Sequence, residues 1–343
     1  MVSLVVPVYN EEEIIIQLHE AISIAMEPVE DDWEVVYVND GSKDSSLELL
    51  RDLQATDPRV IVVDLSRNWG HMGAISAGLR TASGDAVVLM DGDLQDPPEV
   101  IPEFIAAWRN GAQVVTAVRR SRQESRKYLA VLFPIFYRLL GVLSDYPIPF
   151  NAGIFGLLDR KAVDAINGMQ EYNRYLPGLR AWVGYRTAVV YYDRRDRVGG
   201  EGKLSFVSRI KYAMDAITSF SYKPLRLSFV LAALSIGLSF SLAVAGMLHH
   251  GAAFGYAISA SVFLTGAFIL LALGIAGEYL GRIYDEVRRR PLSLINSVYR
   301  SSAAAAHPEL ARSRATTPKA VNVLSREPFR QRKQTESISS RAS

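Results

Sequence analysis

The stretch Val87–Glu99, VVLMDGDLQDPPE, decides the fold. Val87 to Met90 are apolar and run straight into Asp91-Gly92-Asp93, with Gln95, Asp96 and two prolines close behind. Carboxylates crowded together repel one another, and taking them out of water is costly. A strand that ends this way presents its acidic groups to something positive. Asp91, Asp93 and the Gln95 amide are hard oxygen donors, which suit Mg2+ or Mn2+ better than zinc. Such ions bind through a few carboxylates and complete their shell with phosphate and water. The chain contains no GxxxxGK[ST] and no GxGxxG, so neither glycine-rich phosphate cradle is available. A diphosphate held mainly through a metal is the remaining option.

Working outward, short β-branched runs recur at Leu4–Val8, Trp33–Val38, Val60–Leu65, Ala86–Met90 and Gln113–Val118. Helix-like stretches near 11–25, 44–55, 72–82 and 98–109 separate them. This alternation predicts an α/β domain whose mostly parallel sheet is covered on both faces. Ligands of such sheets bind beyond the carboxyl ends of the strands. The polar groups fall there: Asn10 and Glu11 after the first run, Asp40 after the second, Arg67 and Asn68 after the third, Asp91 and Asp93 after the fourth.

Between Arg226 and Glu278 lie 51 residues without Asp, Glu, Lys or Arg, interrupted by His249-His250-Gly251. Residues 227–248 and 252–277 are each long enough to cross a hydrocarbon core of about 30 Å at about 1.5 Å per residue. The plainer reading is a buried helical hairpin of a soluble domain. Basic residues favour the membrane: Arg209, Lys211, Lys223 and Arg226 precede the run, and Arg282, Arg288, Arg289 and Arg290 follow it. The linking loop has no Lys or Arg, so both flanks and both termini are expected on the cytoplasmic side. No signal peptide is expected, because VSLVVPVYNEEE already reads as a buried strand entering a turn.

Residues 204–226 and 278–298 are expected to lie along the membrane surface as helices. From 299 onward the chain is rich in Ala, Ser, Arg and Pro, which predicts a disordered basic tail. The formal net charge of +2 hides a split. Residues 1–226 hold 25 Lys/Arg against 30 Asp/Glu, and residues 300–343 hold 9 against 3. A basic tail on an acidic body argues against a nucleic-acid-binding core. The chain has no cysteine, which excludes thiolate chemistry and disulfides.

VVPVYNEEE, VNDGSKDSS, RNWGHMGAISAGLRTASGD and LMDGDLQDPPE together resemble family 2 glycosyltransferases of the GT-A fold. LPGLRAWVGYR, RVGGEGKLSF and GEYLGRIYDEVRRRPL narrow the likeness to membrane-anchored polyprenyl-phosphate glycosyltransferases, relatives of dolichyl-phosphate mannose synthase. The resemblance implies that Pro7, Tyr9, Glu11 and Asp40 line a nucleoside pocket, with Arg67 also on the nucleotide sugar. It implies Asp91 near ribose and metal, and Asp93 and Gln95 on a metal bridging the donor diphosphate. Tyr9 as a packing residue and Gln95 as a helix cap are the plainer alternatives. Homo-oligomerisation is also an implication of the likeness. Arg197, Lys203 and Arg209, in and after RRDRVGGEGKLSF, could receive a lipid phosphate. An ordinary basic juxtamembrane collar explains the same residues.

The segment departs from the family pattern at two places. Gly202 and Leu204 stand where relatives carry Ser and Tyr. In FNAGIFGLLDR, Asn151, Ile154 and Gly156 stand where they carry Asp, Asp and Arg. Ile154 cannot serve as a catalytic carboxylate. The expected function is inverting, metal-dependent transfer of a sugar, expected to be UDP-linked, to a polyprenyl phosphate at the inner membrane face, with Asp91 and Asp93 as the catalytic carboxylates. The alternatives are a processive polysaccharide synthase and a catalytically weakened, nucleotide-binding membrane scaffold.

Overall fold

The computed structural model describes residues 1–120, 152–169, 171–172, 174–195, 223–248 and 252–301. Arg197, Lys203, Arg209, Asn151, the His249–Gly251 loop, the tail beyond 301 and all but the last four residues of the surface helix expected over 204–226 lie outside the described residues, and those four, 223–226, begin a long helix that continues to Leu248.

Strands β1 (Val2–Val8), β2 (Trp33–Asn39), β3 (Val60–Leu65) and β4 (Ala86–Leu89) alternate with helices α1 (Ile15–Met26), α2 (Ser46–Thr56) and α3 (His71–Thr81). Then come α4 (Ile101–Arg109), β5 (Val114–Arg119), β6 (Ala152–Asp159), α5 (Arg160–Gly168), α6 (Leu176–Trp182) and β7 (Thr187–Tyr192). Long helices α7 (Lys223–Leu248) and α8 (Ala252–Arg288) follow, and β8 (Ile295–Tyr299) closes the described chain. The sheet order is β7-β5-β6-β4-β1-β2-β3-β8. Pairs β1–β2, β1–β4, β2–β3 and β5–β7 are parallel. Strand β6 is antiparallel to both β4 and β5, and β8 is antiparallel to β3. This is the expected mostly parallel α/β sheet.

Both faces of the sheet are buried along the central strands β1 to β4, which is why their sequences are nearly continuous in Val, Ile and Leu. Leu4, Val6, Val35, Tyr37, Val62 and Val88 join Leu18, Ile22 and Phe104 on one face. Val5, Val36, Val38, Val63, Val87 and Leu89 join Ile75, Leu79, Val163 and Leu179 on the other. The alternation in β1 is the period-2 geometry of a strand acting on an unbroken apolar run. Glycine permits close contact where a helix crosses: a Cβ at Gly78 of α3 would stand 2.3 Å from Val5.

Helices α7 and α8 each contain an apolar stretch long enough to cross a membrane, Leu225–Ala245 and Gly255–Arg288. Almost none of either stretch is covered by protein, unlike the buried hairpin of a soluble core. Phe229, Phe240, Phe263 and Leu270 are all at least 70% exposed.

The separate helix expected over 278–298 is corrected. Helix α8 runs unbroken from Ala252 to Arg288, because nothing in EYLGRIYDEVR stops a helix and Arg282 pairs with Glu278 one turn away at 2.9 Å. Arg289 turns the chain with φ +49°, and Pro291 prevents renewed helix. The β-branched INSVY then adds to the edge of β3.

Candidate active site

The parallel pairing brings the carboxyl ends of β1 to β4 to one rim. Strand β6 reverses direction between β4 and β5, so β5 and its parallel partner β7 end at that rim as well. The site is built there.

The loops after β1 and β2 interlock. Asn10, with φ +53°, accepts from the Lys43 amide at 2.8 Å and donates its own amide to Ser42 Oγ at 3.0 Å. The Glu11 amide donates to Ser46 Oγ at 3.0 Å. Asp40 is buried; its amide donates to the Val8 carbonyl at 2.9 Å, and its Oδ1 accepts from the Trp69 amide at 2.7 Å. Burial pushes the Asp40 carboxyl above the usual range, against the opposing pull of the Trp69 and Gly70 amides. Gly41, at φ +67°, lets the β2 and β3 loops touch: a Cβ there would stand 2.5 Å from the Arg67 backbone. The Arg67 guanidinium lies 3.7 Å from the centroid of the Trp69 ring.

Pro7 is buried within β1, and Tyr9 and Glu11 are half-buried beyond it. A Cβ at Gly92 would stand 2.7 Å from the Pro7 carbonyl, so only glycine lets the end of β4 lie this close to β1. That contact fixes where Asp91 and Asp93 sit. Asp93 Oδ1 accepts from the Gln95 amide at 3.1 Å, and Leu94 takes φ +56°, so the acidic loop folds back on itself. The Gln95 carbonyl accepts from the Arg195 amide at 3.0 Å, tying this loop to the residues after β7.

Basic side chains face the carboxylates. His71 Nε2, at the start of α3, lies 3.3 Å from Asp91 Oδ1. Arg194 reaches Asp91 at 4.0 Å, Asp93 at 3.9 Å and Asp96 at 3.9 Å. Its buried Nε makes no hydrogen bond among the described residues. Asp96 is almost fully buried and accepts from the Tyr192 hydroxyl at 2.9 Å; that hydroxyl accepts in turn from Arg119 Nε at 3.1 Å. Burial, reinforced by the Asp91 charge, raises the Asp96 carboxyl to about 6, and burial raises Tyr192 to about 12. Tyr192 is set by an aromatic column: Phe104 meets Phe155 edge-on at 4.8 Å, and Phe155 meets Tyr192 at 5.3 Å.

Among the described residues no three His, Asp or Glu side chains are arranged to hold a metal. Asp91 and Asp93 are hard, partly exposed donors facing a cation in the form of Arg194. They fit a divalent ion whose shell is completed by a diphosphate and water, not an all-protein cage.

The departures at 154 and 156 have a structural account. Ile154 is buried in the apolar cluster with Val87, Leu89 and Val114. Gly156 takes φ +149°, and a Cβ there would stand 2.2 Å from the Val115 carbonyl. The buried Arg180 of α6 donates to the carbonyls of Gly153, Ile154 and Phe155. Burial pushes its guanidinium down to about 9.

The family model described as Glycosyl transferase family 2 matches residues 3–166. The uncharacterized glycosyltransferase YkcC of Bacillus subtilis (strain 168) is 40% identical over 302 residues, which cover 87% of this chain and 94% of that protein. The chain belongs to glycosyltransferase family 2. This glycosyltransferase is also 39% identical to sll0501, an uncharacterized glycosyltransferase of Synechocystis, over 87% of this chain and 95% of that one. It is 38% identical to the SfII prophage-derived bactoprenol glucosyl transferase of Shigella flexneri, over 88% of this chain and 99% of that one.

The rim of this glycosyltransferase brings together Pro7, Tyr9, Glu11, Asp40, Arg67, Asp91, Asp93 and Gln95, all singled out from the sequence. The sequence reading does not single out His71, Arg119, Tyr192 or Arg194. Arg194 stands in the basic run RRDR and His71 in RNWGHMGA, so both were in sight as letters. What places them on the carboxylates is the strand order.

Proposed function

We propose that this enzyme transfers a sugar from a UDP-linked donor to a polyprenyl phosphate, with inversion, at the cytoplasmic face of the membrane into which α7 and α8 insert. The observation that carries the reading is the pairing of the Asp91/Asp93 rim with an apolar helical pair following the same domain. The bactoprenol glucosyl transferase among the relatives, aligned over nearly its whole length, supports a polyprenyl phosphate acceptor.

In this reading the β1 and β2 loops and Arg67 hold the nucleoside, with Asp40 as the buried acceptor on the pocket floor. Asp91 and Asp93, with Gln95 beside them, hold Mg2+ or Mn2+. A bound divalent ion would neutralise charge on the departing nucleoside diphosphate. Arg194 offers a second cation for the same oxygens, and His71 orients Asp91. Arg197, Lys203 and Arg209 receive the acceptor phosphate. Assembly as a homo-oligomer is part of the proposal and rests on the family likeness alone.

The apolar surroundings of Ile154 agree with a phosphate acceptor. A hydroxyl acceptor must lose a proton during attack and needs a general base. A phosphate monoester has its second pKa near 6, so at pH 7 it is mostly a dianion already. Its oxygen can attack the anomeric carbon from the face opposite the nucleotide, forming the new bond as the bond to the diphosphate breaks. What the protein then supplies is position and countercharge.

The test is transfer of radiolabel from a panel of UDP- and GDP-sugars into solvent-extractable lipid. Label is expected in polyprenyl phosphate from a UDP-sugar, and none in free polyprenol. Label in long polymer, or in polyprenol itself, would overturn the proposal.

A further inference from the structure

We propose that β8 and the turn leading into it from the apolar hairpin form a positioning element of the donor site, acting through Asn296 of the strand and Ser293 of the turn. The inference rests on the reading that the β1 and β2 loops, with Arg67 of the β3 loop, hold the nucleotide. Nothing in the chemistry of transfer calls for a segment more than 200 residues downstream of those loops, yet it contacts the β3 loop directly and reaches the β2 and β1 loops through Asp64 and Asn39.

The first contact runs through a buried carboxylate. Asn296 Nδ2 donates to Asp64 Oδ2 at 2.9 Å, and Asn39 Nδ2 donates to Asp64 Oδ1 at 2.7 Å. Asn39 Oδ1 accepts from the Ser42 amide at 3.2 Å, and Ser42 Oγ accepts from the Asn10 amide at 3.0 Å. Four hydrogen bonds therefore lead from β8 to the loop preceding Glu11. Asp64 is 7% exposed, so losing the Asn296 donor leaves one of its oxygens with little water to turn to.

The second contact goes to the β3 loop and α3. The Ser66 amide donates to the Leu294 carbonyl at 3.0 Å, immediately before Arg67. Ser293, itself buried, donates to the Gly73 carbonyl and accepts from Arg80 Nη2, both at 3.2 Å. A Cβ at Gly73 would stand 3.2 Å from the Leu292 carbonyl and 2.9 Å from Trp69 Cβ. Leu292 and Ser293 thus brace the turn that carries Trp69, the partner of Asp40, and His71, the partner of Asp91. Between Arg288 and Ile295 only six residues intervene, so the brace is attached directly to α8.

The experiment uses the full-length protein in detergent or lipid nanodiscs, with UDP binding by calorimetry and separate KM values for donor and acceptor. Asn296→Ala and Ser293→Ala are each expected to raise the donor KM and the UDP Kd by about tenfold, as loss of a hydrogen bond to a buried group does. The acceptor KM should stay within about twofold, because the brace bears on the donor loops and α3 and on none of the residues assigned to the acceptor phosphate. Asp64→Asn and Asn296→Asp should each weaken UDP binding, since one opposes two amide donors and the other two carboxylates. Combined, they restore one donor facing one acceptor, and binding should recover. Should Asn296→Ala fail to fold, Ser293→Ala and the exchanged pair decide the matter. An unchanged donor KM in the folded variants, alongside a raised one in Asp40→Asn, would overturn the brace and leave the donor pocket standing. An unchanged donor KM in Asp40→Asn as well would overturn both. Equal rises for donor and acceptor would show general loosening and overturn the brace.

Discussion

Arg180 and Gly156 share one space: a Cβ at position 156 would stand 3.3 Å from the Arg180 guanidinium, which is itself bound to the carbonyls around Ile154. The absence of a carboxylate at 154 and of a large side chain at 156 is therefore built into the packing of β6. Ile154→Asp would place a carboxyl in an apolar cluster and should destabilise by about 3–5 kcal/mol. Gly156→Ala should cost about 2 kcal/mol or more, from the contact with the Val115 carbonyl and from its φ. Thermal unfolding checks both. Neither change should raise kcat; a tenfold gain in Ile154→Asp would mean the wild type lacks a group its chemistry needs.

Asp93→Asn should lower transfer by about a thousandfold while the protein stays folded, and EDTA should have the same effect on the wild type. Arg194→Gln acts in the opposite sense on ion binding. It removes the guanidinium 3.9–4.0 Å from three carboxylates. The metal-free protein should lose stability, and Mn2+ should then raise Tm by about 2–4 °C more than in the wild type. Full activity in EDTA, or an unchanged Mn2+ response in Arg194→Gln, would contradict the assignment.

Stability should carry a histidine signature away from the site. His19 Nδ1 lies 3.2 Å from the Tyr37 hydroxyl, and Nε2 lies 3.4 Å from Asp57. Burial lowers the His19 pKa from 6.5, outweighing the opposing pull of Asp57. The unfolded chain then takes up a proton at a pH where the folded one does not, so this contribution is present above pH 6.5 and is lost as pH falls below it. His19→Gln should flatten the dependence of Tm on pH across that window. An equally steep curve in the variant would assign it elsewhere.

Because the chain has no cysteine, single introduced cysteines report topology cleanly. Ala253→Cys should react with an impermeant maleimide on intact cells, and Ser302→Cys only after lysis. The reverse pattern would place the glycosyltransferase domain on the outer side.

Strands β1 to β5, their helices and the two long apolar helices are legible in the sequence because each is announced locally. β-branched runs, 3.6-residue periodicity and charge-free length need no knowledge of neighbours. The rim residues at strand ends follow from the same pattern. Residues that depend on strand order are not legible. Tyr192 meets Asp96 across 96 positions, and only the antiparallel insertion of β6 brings the ends of β4, β5 and β7 together. The conformation of Gly156 likewise belongs to the pairing of β5 and β6. INSVY escapes notice because five residues after a proline carry little periodicity, and because a helix ending at Arg288 looks from sequence as though a surface helix should continue it.

The place of β8 also orders events during synthesis. Asp64 and Asn296 are 232 positions apart, and the apolar hairpin emerges between them. At about 5–20 residues per second, the ribosome needs about 10–45 s to supply β8 after β3 has been made. Throughout that interval the outer edge of β3 has no strand beside it, and an open edge invites pairing with other chains. With α7 and α8 inserted as proposed above, the hairpin reaches the insertion machinery before the sheet can be finished. Any delay in insertion would therefore lengthen the time that nascent chains spend with a bare edge, so overproduction beyond the capacity of the insertion machinery should aggregate this protein through its soluble domain.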